Sequence, residues 1–132
     1  MVMIAADTNV WARAYLNDDP AQARKARAEL LNARSRGGVY VPLIVLAELS
    51  WVLRGGKWKR ERILTTIEHL TRTRDIYVES PSLVLDAIQA SRSGSAGFAD
   101  HLISQVSFAA GASEIITFDK GLGRHPRIRR LN

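Results

Sequence analysis

The sequence predicts an α/β fold: a short parallel sheet with helices on both faces. Three observations predict it. Short β-rich runs at 39–41, 76–78 and 114–117 alternate with longer stretches whose apolar residues recur at helical spacing. The connections between those runs are of crossover length, as parallel pairing requires. The chain opens on an unbroken apolar run at 2–6, the pattern of a strand covered on both faces of such a sheet. At 132 residues, with no repeat or linker, it reads as one domain over 1–132.

The first strand, 2–6, ends at Asp7, and a carboxylate leaving a buried strand is costly unless paired, hydrogen-bonded or bound to a metal. A short helix follows over 9–16. Asp19-Pro20 reads as the N-cap and first residue of a helix to about residue 33, with Ala23, Ala26, Leu30 and Leu31 at helical spacing. Gly37-Gly38 breaks the chain before strand 39–41. Pro42 opens a helix to about residue 53, closed by Gly55-Gly56. Residues 59–72 form a helix with Ile63, Ile67 and Leu70 on one face. After strand 76–78, Ser80-Pro81 starts a helix to Ser91, and "SRSGSAG" at 91–97 is a loop. A helix over 98–110 stops at Gly111, and 114–117 is the last strand.

The formal charge is +6, from 19 Lys plus Arg against 13 Asp plus Glu. Such a balance favours a polyanionic partner, nucleic acid first, with a basic face kept for solubility as the plainer alternative. Lys57, Lys59, Arg60 and Arg62 surround Trp58, which could stack on a base or on a partner's side chain. Lys120, Arg124, Arg127, Arg129 and Arg130 crowd the C-terminus. Apolar residues make up 46% and charged residues 24%, a soluble globular balance rather than a disordered one. No apolar stretch approaches the roughly 20 residues that span a bilayer, and no basic lead-in marks a secretory signal. The absence of cysteine excludes disulfides and zinc–thiolate sites. The expected location is the cytoplasm.

Four acids stand out against that layout. Asp7 and Asp119 each follow a strand, where ligands gather outside the carboxyl ends of a parallel sheet. Glu48 interrupts the apolar helix "PLIVLAELSWVL", and Asp100 lies in the first turn of "FADHLISQV". Each alone has a plain explanation: a cap for Asp7 or Asp119, a helix-terminus charge for Asp100, a paired core carboxylate for Glu48. Together they suit a divalent cation, because gathered carboxylates repel one another and Mg²⁺ or Mn²⁺ takes oxygen ligands. Setting them aside leaves nine acids against 19 basic residues. An acidic centre in a basic surround is what metal-assisted cleavage of a phosphodiester requires.

At this point four segments, "AADTNV", "LAEL", "FADHLI" and "IITFDKGLGR", resemble the PIN domain family in order and spacing over essentially the whole chain, most closely its VapC type. The resemblance implies a three-layer α/β/α domain with a short central parallel sheet. It implies a metal-dependent endoribonuclease in which Asp7, Glu48, Asp100 and Asp119 hold one or two Mg²⁺ or Mn²⁺ ions, with Asn9 and Thr117 orienting the acids. It also implies an RNA substrate such as tRNA or rRNA, a homodimer, and a VapB-type antitoxin that silences the acidic site. Where many relatives carry a further acid before the "FAD" segment, this chain has Gly97, so a fifth carboxylate is missing. RNA backbone would meet Lys57, Trp58, Lys59, Arg60, Lys120 and Arg124.

Other readings fare less well. A haloacid-dehalogenase-type phosphatase needs a second acid two residues after the first, where this chain has Asn9. The glycine pairs lack the lysine and spacing of a P-loop. His69, His101 and His125 have no partner at metal-ligand spacing. A non-catalytic RNA- or protein-binding module of the same fold is the alternative. The apolar load at Leu43, Leu46, Trp51 and Val52 exceeds what one small core needs and points to the dimer surface.

Overall fold

A computed structural model describes residues 2–132, apart from the side chain of Arg124. Twelve elements follow in order: β1 (Ile4–Ala5), α1 (Thr8–Leu16), α2 (Pro20–Arg34), β2 (Val39–Val41), α3 (Leu43–Gly55), α4 (Arg60–Thr71), β3 (Ile76–Val78), α5 (Pro81–Ser93), α6 (Phe98–Ala109), β4 (Ile115–Thr117), a 3₁₀ turn (Leu122–Arg124) and β5 (Ile128–Arg130). The α/β class and parallel pairing expected from the sequence are both present. The chain divides into two compact units, one ending at Pro81 and the other running from Ser82 to Asn132. Among the described residues no helix is long and apolar enough to cross a membrane.

The first unit holds a parallel sheet in the order β1-β2-β3, with Ile4 opposite Val39 and Val39 opposite Ile76. Helix α2 starts where local chain chemistry dictates. Asp19 accepts the Gln22 N–H and Pro20 occupies the first turn of α2, as its sequence signature requires. Buried Ala23, Ala26 and Ala33 give that helix a shallow face, which lets α1 and α2 pack closely. Leu46, Leu49 and Leu53 of α3 are fully buried, as are Leu64 and Ile67 of α4. Burial of each such side chain contributes on the order of 2 kcal/mol.

Two expectations are corrected here. The run at 2–6 is not a strand covered on both faces: only Ile4 and Ala5 pair, Ile4 is 44% exposed and Val2 75%. The reason is position, since β1 is the edge of its sheet and edge strands are short and half-solvated. The apolar load of α3 is not all surface either. Leu46 belongs to the core, whereas Ile44 (68%), Trp51 (58%) and Val52 stand exposed.

The second unit contains α5, α6 and the parallel pair β4-β5, with Ile115 opposite Ile128 and Thr117 opposite Arg130. Its small core joins Ala96, Leu122 and Ile128, flanked by Phe108 and Ile115. Strand β5 is absent from the sequence reading, which ends its strands at 114–117 and notes only the basic residues beyond. The chain pairs there because Ile128 is its one buried anchor.

Gly38 shows how tightly the first unit is closed. Its φ is +95°, and a Cβ there would meet the Tyr77 ring and lie 2.9 Å from the Asp75 carbonyl. Gly111 has a similar φ of +103° but faces open space. Gly111→Ala should therefore cost only the backbone term, about 1 kcal/mol, and Gly38→Ala at least twice that, measured by urea unfolding.

Candidate active site

Two of the four acids lie in the first unit. Asp7 leaves β1 with extended backbone and becomes the N-cap of α1, its Oδ1 accepting the Val10 N–H at 3.2 Å. The next residue, Thr8, donates its hydroxyl to Glu48 Oε1 at 3.0 Å, across 40 residues of sequence. Helix α1 packs on α3, so this bond ties the start of one helix to the middle of the other. Helix α3 is itself fixed from below. Its N-cap, Pro42, has no side chain to offer, and Glu79 at the end of β3 accepts the Leu43 N–H at 2.9 Å instead. Glu48 then lies on the exposed face of α3, with Ile44 one turn before it and Trp51 and Val52 one turn after.

The other two lie in the second unit. Asp100 is the third residue of α6, whose N-cap is Gly97 with no capping side chain. Its carboxylate turns back toward that end: a Cβ on Gly97 would lie 3.9 Å from Asp100 Oδ2. A carboxylate there suits the positive end of the helix dipole. Asp119 follows β4 in a tight turn, where its Oδ1 accepts the Gly121 N–H at 3.1 Å and its own N–H donates to Thr117 Oγ1 at 3.0 Å. Gly121 lies against the loop into α6, since a Cβ on it would collide with Ser95 Oγ and come within 2.9 Å of the Ala96 nitrogen. The Asp119 turn and the residues leading to Asp100 are thus neighbours.

All four acids are exposed, and among the described residues none is bridged to Lys or Arg. In Asp7, Glu48 and Asp119 one oxygen is committed to a hydrogen bond and the second remains for a ligand. This is oxygen-donor chemistry suited to a hard divalent cation. Among the described residues no three of Asp, Glu and His are gathered closely enough to hold a metal by themselves.

The family model of the PIN domain matches residues 4–128. The chain belongs to the PIN domain family. PIN domains are generally nucleases. Comparison with curated proteins gives no match.

Within this PIN domain, Thr117 Oγ1 accepts the Asp119 backbone N–H. Thr8, not Asn9, contacts an acid, and Asn9 is exposed with no hydrogen bond to either Asp7 or Glu48 among the described residues. Sequence reasoning missed Thr8 and Glu79. Glu79 carried a usable signal, an acid at the carboxyl end of the third parallel strand, like Asp7 after the first. Its oxygen is engaged by the helix start. Trp58 is half-buried, edge-on to Tyr15, with the Arg62 guanidinium 3.6 Å above its ring. One face is therefore already covered.

Asp7 both caps a helix and offers a charge, and substitution separates the two. Asn caps as well as Asp. Asp7→Asn should stay within about 0.5 kcal/mol of wild-type stability, while Asp7→Ala should lose about 1 kcal/mol in the same urea titration.

Proposed function

We propose that this chain is a metal-dependent endoribonuclease of the VapC type, the toxin of a toxin–antitoxin pair, working in the cytoplasm as a single domain. The observation that carries the reading is the four exposed carboxylates without a protein cation, on a chain whose remaining charge is strongly basic. Asp7, Asp100 and Asp119 would hold one or two Mg²⁺ or Mn²⁺ ions, and Glu48 would bind metal or orient the attacking water. Such an ion supplies a water activated at neutral pH and charge stabilisation on the phosphodiester.

The chain's own residues do the rest. Thr8 donates its hydroxyl to Glu48 and would orient it, and the Asp7 cap fixes the turn from which Thr8 projects. Lys57 and Lys59 precede α4 on exposed backbone, and Lys120 follows Asp119. These would meet RNA phosphates, giving affinity that falls with salt and little sequence choice. Arg60 and Arg124 would join them, and Trp58 would offer its remaining face. The exposed face of α3 with Ile44, Trp51 and Val52 supports a homodimer, and a VapB-type antitoxin would silence the acids.

Purified protein should cleave RNA with Mg²⁺ or Mn²⁺ and stop with EDTA, and Asp7→Asn or Asp100→Asn should lower the rate by orders of magnitude with the fold retained. Cleavage indifferent to chelator would sink the mechanism. RNA binding without cleavage under any divalent metal would favour the non-catalytic module instead. Light scattering at micromolar concentration should give twice the chain mass, and Trp51→Ser should halve it.

A further inference from the structure

In the first unit, residues of α1, α2, α4 and β3 line an open cavity of about 430 Å³. That size lies within the range of small-molecule sites. Its walls are largely apolar, with Trp11, Leu30, Leu70 and Ile76 all buried. No Asp or Glu lines it, whereas Arg27, Arg34 and His69 do. An apolar cleft bordered by cations and no acid selects by charge as well as by shape.

The two arginines are tethered. Arg27 Nε donates to the Ala14 carbonyl at 2.8 Å, and Arg34 Nε donates to the Arg74 carbonyl at 3.2 Å. Neither guanidinium has a carboxylate partner among the described residues. Held through Nε, each keeps its terminal nitrogens for a planar anion, and little side-chain freedom is left to lose on binding. Trp11, 3% exposed, carries a buried indole N–H with no acceptor among the described residues. A donor of that kind is rarely left unmatched. Burial also pushes the Tyr15 phenol above its usual range, as a wall of low polarity does.

We propose that this cavity binds a small amphipathic anion, an aromatic ring or short acyl chain held by the apolar walls with its carboxylate or phosphate gripped by Arg27 and Arg34. The site shares no residue with the four acids and does not depend on the nuclease reading.

Octanoate and 2-naphthoate are the probes, titrated into ¹⁵N-labelled full-length protein while the Trp11 indole N–H resonance is followed. At least one should shift that resonance saturably, and octanol should act at least tenfold more weakly than octanoate. Arg27→Gln with Arg34→Gln should weaken the anion at least tenfold and leave octanol unchanged. The proposal is overturned if neither anion shifts Trp11, if octanol matches octanoate, or if the folded double variant binds the anion as well as wild type. Should the double variant fail to fold, the comparison of octanoate with octanol on the wild-type protein decides alone.

Discussion

The capped turn at Asp7 is the constraint on which the first unit is built. Within four residues the chain leaves a sheet edge, reverses into a helix and hands a hydroxyl to a second helix. The cap satisfies an N–H that α1 would otherwise leave bare, and it sets where that helix points. Helix α1 then packs on α2 and α3, buries Trp11 and Ala12, and stacks Trp11 on Tyr15 at 6.5 Å. The Thr8 hydroxyl reaches Glu48 only because that direction is fixed. A side chain that reads as chemistry is also the one that organises the fold around it.

Net charge tells less about binding than the way each cation is used. Arg127 donates to the Ala112 and Ser113 carbonyls and lies 4.1 Å over Phe108, so it closes the end of α6. Arg129 bonds Glu114 at 2.9 Å, and that partner holds the Glu114 carboxyl below its usual range. Arg13 grips both oxygens of Asp18 at 3.0 Å. Arg62 covers Trp58. What remains for a polyanion is a smaller set that includes all four lysines, whose hydrated point charges suit backbone contact rather than shaped recognition.

Much of the fold was legible because its boundaries are local chemistry. Asp19-Pro20 marked the start of α2, Gly97 and Gly111 bracket α6, and both kinds of signal act within a few residues. The failures are of the opposite kind. An apolar run measures hydrophobicity, not neighbours, so residues 2–6 gave no hint that β1 would lie at an edge. The sequence "IRR" carries one apolar residue in three, too little to betray β5. Placement singled out the four acids as candidates, but not the residues that bond Glu48 and the start of α3. The bonds from Thr8 to Glu48 and from Leu43 to Glu79 span 40 and 36 residues, and no local pattern encodes them.

Glu48 imposes a further constraint on anything that covers α3. It stands on the same exposed face as Ile44, Trp51 and Val52, and the hydrophobic gain from covering those three would come with removal of water from the carboxylate. Thr8 satisfies only one of its oxygens. A purely apolar partner would therefore trade a gain at Trp51 for an unmet charge a turn away, and burying a carboxylate unpaired outweighs the burial of a side chain of ordinary size. A surface that fits must bring a donor or a cation to Glu48 while it covers the tryptophan. The same residue that would serve chemistry thus selects which partners can close over it.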